Sequence, residues 1–208
     1  MLKTKIAEGL YQRAENIKTI DEKFNEIYKT EEEHCQRVSK LCQDMGKVIG
    51  LADEEIVNLK CVGMFHDLGK VGIDRKILDK PGKLTEEEWR KIKKHPEIGY
   101  RILCMYKGME DIAENVLAHH ERWDGKGYPK GLKDEKIPLF ARISAIADTY
   151  DAMTNERSYR KALPKEIAVK ELQDNAGTQF DPHLVQLFLE KVIKFTKNEK
   201  EVNQDGLV

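Results

Sequence analysis

The adjacent pair His66-Asp67 stands inside a longer series, His34, His66-Asp67, His95, His119-His120 and Asp148, which takes up five of the six histidines in the chain. A histidine offers a neutral imidazole to a borderline metal, and an aspartate can hold two cations at once through its two oxygens. Taken in order, the series supplies what a two-metal hydrolase needs. A lone histidine in a helical protein more often serves structure, so the reading rests on the ensemble. Asp148 strengthens it, because this acid lies in the apolar stretch RISAIADTYDAM. A carboxylate buried there is costly unless it is paired or metal-bound.

The elements that must carry these residues read as helices. Ile17, Ile20, Phe24 and Ile27 follow alternating spacings of three and four, with Leu10 before them, over residues 1–30. Two readings stand for this N-terminal helix: a first helix packed on the body, or a signalling and dimerisation helix that makes a coiled-coil homodimer. A second helix runs from about Glu31 through Val38, Leu41, Met45 and Val48 to Gly50. Asp53 is expected to cap a third, which ends at Gly69 with His66 and Asp67 in its last turn. Residues 70–84 read as a loop with a Pro-Gly turn, and Thr85 with Glu88 as a capping box for the next helix. Pro96 is expected to break or kink the chain beside His95. A helix from about Asp111 delivers His119 and His120 to a glycine-rich loop, and Asp148 lies on the apolar helix beyond it. Pro164 starts another helix, and FDPHLVQLFLEKV forms the last. No strand pattern appears, so the fold class is all-α. The domain body is expected over 31–197, with a polar tail over 198–208.

Composition narrows the function classes. Charged residues make up 35% of the 208 residues but cancel to a formal net charge of -1, which disfavours binding to duplex nucleic acid or anionic membrane. No apolar run reaches the roughly 18 residues of a membrane span, and MLKTKIAEGL lacks the apolar core of a signal peptide. The expected location is the cytoplasm. Cys35, Cys42, Cys61 and Cys104 show no CxxC spacing and read as reduced core residues.

HDLGKVGI, ILDKPGKLTEEE, HPEIGYRIL, HHERWDGKGYP, IADTYDAMTNERSYRKA and GTQFDP follow one another in an order and spacing that resemble the HD-GYP family, a branch of the HD phosphohydrolases. The segment from His119 to Pro129 is the most diagnostic. The resemblance implies an HD-domain helical bundle with an HD-GYP extension, acting as a phosphodiesterase on the bacterial second messenger cyclic di-GMP. It implies linear pGpG as product, with GMP as a further one, and a metal-bridging hydroxide as nucleophile. By motif, His34, His66, Asp67 and Asp148 would hold one metal, and Asp67, His95, His119 and His120 the other, with iron or manganese as the divalent ions. Lys70 would protonate the leaving oxygen or stabilise phosphate charge, and Arg157 and Arg160 would bind the second phosphate. The GYP loop, Gly125, Gly127, Tyr128 and Pro129, implies a protein partner such as a diguanylate cyclase domain.

Glu121 and Asp124 read as groups orienting His119 or His120, Trp123 as a scaffold residue rather than a base-stacking one, and His183 as structural or exposed. A third metal in the family uses a glutamate four residues before the first histidine, where this chain has Thr30. Glu31 is offset by about 100° on a helix, so two metals are expected. GIDRKIL lacks the family's proline-aspartate, which leaves the lid details of that loop open. Two other readings remain: a catalytically silent cyclic di-GMP binding or signalling module, and an HD enzyme acting on a different cyclic dinucleotide or a nucleoside phosphate.

Overall fold

The computed structural model describes residues 12–23, 31–156 and 161–194, and within them the chain is helical with no strand beyond an isolated bridge between Ala176 and Phe180. Helix α1 covers 12–23. It is followed by α2 (Glu32–Val48), α3 (Asp53–Phe65), a 3-10 turn (Leu68–Gly72), α4 (Arg75–Leu78), α5 (Glu86–Ile92), α6 (His95–Cys104) and α7 (Glu110–Ala118). A second 3-10 turn (Asp134–Lys136) leads into α8 (Leu139–Thr154), α9 (Lys165–Asp174) and α10 (Pro182–Leu187), which runs on as a π-helical turn (Phe188–Val192).

Two apolar clusters meet across α2 and α3. One joins Val38, Cys42 and Met45 of α2 to Leu59, to Ile143, Ile146 and Ala147 of α8, and to Leu172, Leu184 and Phe188. The other joins Cys35 to Val62 and Phe65 of α3, Leu103 of α6, and Ile112 and Val116 of α7. Each fully buried leucine or isoleucine contributes about 1.5–3 kcal/mol, so α2 and α3 are fixed from both sides. Cys35, Cys42 and Cys61 are buried free thiols within this packing, whereas Cys104 is exposed.

Helix α1 lies on the second cluster. Ile20 is buried in it and Ile17 packs at its edge. The Arg13 guanidinium donates to both carboxylate oxygens of Asp111 at 2.9 Å, and Asn16 donates to the Lys107 carbonyl. Leu10, Phe24 and Ile27 of the apolar seam lie outside the described residues.

Local details depart from the pattern reading in four places, the first being that α3 ends at Phe65, with His66 as its cap and Asp67 leading into the 3-10 turn, rather than running to Gly69. Glu55, not Asp53, satisfies the start of α3: its carboxylate accepts from Ala52 N at 3.0 Å, and Asp53 is already the first helical residue. The expected loop over 70–84 contains a 3-10 turn and the single turn of α4, whose start Asp74 caps by accepting from Lys76 N at 2.9 Å. Pro96 does not break the chain; it occupies the first turn of α6, where its missing N–H has no intrahelical partner to lose. The Thr85-Glu88 capping box forms as read, with both reciprocal bonds present.

Gly69 lets the chain turn from α3 directly against the start of α6. A Cβ there would stand 1.8 Å from the His95 carbonyl oxygen and 2.5 Å from Gly99 N, both backbone atoms. Gly69→Ala is therefore expected to push α6 away, lowering unfolding free energy by about 3 kcal/mol in urea titration and weakening metal binding.

Candidate metal centre

Four helix termini and the middle of α8 bring the seven predicted donors together. His34 stands in the first turn of α2, His66 closes α3 with Asp67 next, His95 opens α6, and His119 closes α7 with His120 next. Asp148 projects from α8. Two donor groups result, His34/His66/Asp148 and His95/His119/His120, in each of which the ligand atoms lie within 4.8 Å of one another.

Asp67 lies between the groups, and its two oxygens divide between them. Oδ2 is 3.3 Å from His66 Nε2, and Oδ1 is 3.3 Å from His95 Nε2. Oδ2 also meets the Lys70 ammonium at 2.6 Å, and Lys70 reaches Glu31 at 3.6 Å. The 3-10 turn after Asp67 brings Lys70 back to it, with Lys70 N donating to the Asp67 carbonyl at 2.9 Å.

The histidine tautomers follow from their partners. His66 Nδ1 donates to the Gly63 carbonyl at 2.8 Å, His95 Nδ1 to Ile92 at 2.9 Å, and His119 Nδ1 to Val116 at 2.6 Å. With the proton on Nδ1, each ring, when neutral, turns the lone pair of Nε2 into the site. Burial favours that form for His95 and His119, whereas at His66 burial is outweighed by Asp67 and Asp148, which raise its pKa. His66 Nε2 is buried without a hydrogen bond, and the Nε2 atoms of His95 and His119 face each other at 3.2 Å. Two facing lone pairs repel, and a cation between them removes the conflict. The donor set fits divalent metals on these grounds.

The electrostatics differ between the two ends. Burial, reinforced by His95, lowers the His120 pKa to about 3, and burial with His120 and His95 puts His119 well below the ordinary value. At the other end burial opposes charge on His34, but Asp148 and Asp151 outweigh it and raise its pKa to about 9. Burial likewise opposes ionisation of Asp67, and Lys70 and His66 outweigh it, holding the carboxylate well below the usual range.

Two residues at this centre, Asp151 and Arg37, escaped the sequence reading, and a third, Glu31, was set aside in it. Asp151 is buried beside His34, accepting from its Nδ1 at 2.7 Å, and Arg37 holds the same carboxylate through Nε at 2.7 Å and Nη2 at 3.1 Å. Glu31 forms a third donor group with His34 and Asp67, again within 4.8 Å. The signal was available: Asp151, Arg37 and Glu31 are each three positions from Asp148 or His34, and residues three apart share a helix face.

Glu121 corrects an expectation. It does not orient the histidines; its buried carboxylate accepts from Lys130 N at 2.6 Å and Leu132 N at 3.0 Å, fastening the glycine-rich loop. Asp124 likewise turns to Arg122 and Lys126 N. Gly127 lets that loop lie on the histidine segment, since a Cβ would meet Arg122 N at 2.4 Å and the His120 carbonyl at 2.6 Å. The loop then sets Tyr128 over the His120 ring, with centroids 4.9 Å apart. Trp123 meets the Arg142 guanidinium, and His183 is exposed at the start of α10. Arg157, Arg160 and Thr30 lie outside the described residues.

Residues 17–184 match the family model described as HD domain. The chain belongs to the HD domain family. Among curated relatives of this HD domain chain, a Thermotoga maritima protein named cyclic di-GMP phosphodiesterase is 39% identical over 171 residues, covering 81% of this chain and 45% of the relative. The 3'3'-cGAMP-specific phosphodiesterase 2 of Vibrio cholerae is 43% identical over 159 residues, covering 76% of this chain and 30% of the relative. The chain thus spans less than half the length of these relatives. The PgpH HD domain of L. monocytogenes, solved with cyclic-di-AMP, shares the fold at a TM-score of 0.64 and 16% identity, over 91% of this chain and 99% of that one. Among the described residues of this HD domain protein, no helix is long and apolar enough to cross a membrane.

Proposed function

We propose that this HD domain chain is a metal-dependent phosphodiesterase of the HD-GYP branch that hydrolyses cyclic di-GMP to linear pGpG, with GMP as a further product, in the cytoplasm. The observation that carries the reading is Asp67, whose Oδ2 and Oδ1 stand 3.3 Å from His66 and His95 of two separate donor groups. Asp67 is the proposed bridge; His34, His66 and Asp148 complete one site, and His95, His119 and His120 the other. Mixed imidazole and carboxylate ligation suits iron or manganese. Two bound divalent ions would lower the pKa of water between them and offset charge on the phosphoryl oxygens.

The chain's own residues do the rest. Neutral His95, His119 and His120 keep their lone pairs available without first losing a proton. Burial alone would lower the Lys70 pKa, but Asp67 and Glu31 raise it, so Lys70 stays an ammonium. That charge is placed to steady phosphate oxygens and to pass a proton to the departing 3′-oxygen, as the P–O3′ bond breaks and the oxygen of a water already ionised to hydroxide, its proton released to solvent, bonds to phosphorus. Lys70 then regains a proton from solvent. Arg157 and Arg160 are assigned by motif to the second phosphate, for which a planar guanidinium fork is suited. A diguanylate cyclase domain at the GYP loop and a homodimer through the N-terminal helix complete the proposed partners.

Glu31 supports a second reading of the metal count. Its carboxylate, His34 and Asp67 make a third group, so three ions replace two if Glu31 releases Lys70. The test of function is anaerobic loading with Fe(II) or Mn(II), followed by chromatography of cyclic di-GMP and its products. Appearance of pGpG is expected; intact substrate with both sites loaded contradicts the reading.

A further inference from the structure

We propose that the cavity beside the metal centre seats the purine base next to the scissile phosphate, and that the Gln179 amide selects guanine there; this rests on the cyclic dinucleotide reading above. The cavity, about 110 Å³, is lined by His119, His120 and Asp148 of the centre together with Glu121, Arg122, Thr149 and Gln179. A phosphate held at the centre therefore has its attached nucleoside beside this space. Ala145, Asp148 and Thr149 stand at i, i+3 and i+4 and form one face of α8. The small Ala145 leaves room for a flat ring.

Charge decides which part of the ligand fits. Arg122 spends its own on Asp124, through Nε at 3.1 Å and Nη2 at 2.9 Å. With Arg122 offset and the Glu121 and Asp148 carboxylates also in the lining, the cavity suits a heterocycle better than a second phosphate. Arg122 Nη1 also donates to Gln179 Oε1 at 3.1 Å. Arginine has only donors, so Gln179 must turn its oxygen to Arg122 and keep its amino group for another partner. The main chain fixes the position: Gln179 O accepts from Trp123 N at 3.1 Å, and Thr178 O accepts from Asp124 N at 2.8 Å. Guanine presents the acceptor O6 where adenine presents the donor N6, so a fixed amide donor accepts the first and rejects the second.

The test compares wild type, Gln179→Ala and Gln179→Glu, loaded with Mn(II). It measures kcat/KM on cyclic di-GMP, cyclic di-AMP and base-free bis(p-nitrophenyl) phosphate, with Kd for both dinucleotides by calorimetry. The preference for cyclic di-GMP over cyclic di-AMP is expected to fall about tenfold in Gln179→Ala, a loss of one base-edge hydrogen bond. It falls further in Gln179→Glu, which keeps the side-chain length and the Arg122 contact but offers an acceptor. An unchanged preference in both variants, or an equal loss on all three diesters, overturns the proposal. Binding preference erased by Gln179→Ala without hydrolysis by wild type leaves the subsite standing and removes the hydrolase reading. Hydrolysis with an unaltered preference does the reverse.

Discussion

Asp67→Ala is expected to lower cyclic di-GMP turnover by at least about 1,000-fold, the rate equivalent of losing several kcal/mol of charge stabilisation, and to leave the protein unable to hold two metals. Asp67 is buried, its Oδ2 faces His66 at 3.3 Å and its Oδ1 faces His95 at 3.3 Å, so one side chain serves both donor groups. Removing it leaves two histidine groups with no shared anion between them. The fold itself is expected to survive, because Lys70 retains Glu31 at 3.6 Å as a partner. Metal analysis on the purified variant checks this: about two metals in wild type against one or none in the variant. Circular dichroism provides the folding control. Two metals retained with activity intact removes Asp67 as the bridge.

Asp151→Asn carries the second large effect and acts through His34. The Asp151 carboxylate accepts from His34 Nδ1, from Arg37 Nε and Nη2, and from Asn155 Nδ2 at 2.9 Å. Every one of these partners donates, so an asparagine must turn its own amino group against one of them. Either His34 or Arg37 loses its bond. Freed from Asp151, the His34 ring no longer holds Nε2 toward Asp148, from which it now stands 3.2 Å. Affinity at the His34, His66 and Asp148 group is expected to fall about 10- to 100-fold, the usual effect of removing a carboxylate behind a histidine ligand. Calorimetric titration with Mn(II) measures it. pH supplies a signature that a general loss of stability lacks. Before metal binds, Asp148 and Asp151 outweigh burial and raise the His34 pKa to about 9, so metal must displace a proton there below that pH. Wild-type affinity at this group therefore rises from pH 6 toward 9, and the rise flattens in Asp151→Asn, where one of the two carboxylates holding the proton is gone.

The donor series was legible in the sequence because its members flank helix ends that periodicity marks clearly: the apolar run before His66, the helix leading to His119, and the apolar helix around Asp148. The all-α fold was legible for the same reason. What lay beyond reach was set by contacts between segments distant in sequence. Asp151 meets His34 across 117 positions: its spacing of three from Asp148 puts it on the same helix face, but nothing local shows that His34 and Arg37 pack against that face. Glu31 was discounted on a one-residue helical offset, yet α2 begins at Glu32 and a spacing of three serves as well as four. Glu121 was assigned to the histidines because it adjoins His120, whereas its carboxylate points to the backbone of the loop 9 and 11 residues later. Lys70 was read only against substrate. Its 2.6 Å contact with Asp67 also makes it the counter-charge of the proposed bridge.

The most direct test of a two-metal phosphodiesterase is an anaerobic Fe(II) titration of the metal-free protein with cyclic di-GMP turnover read at each addition. Turnover is predicted to stay near zero through the first equivalent and to rise steeply to a plateau at the second, with pGpG as the product formed. Full turnover at one equivalent, or none once two are bound, would contradict it.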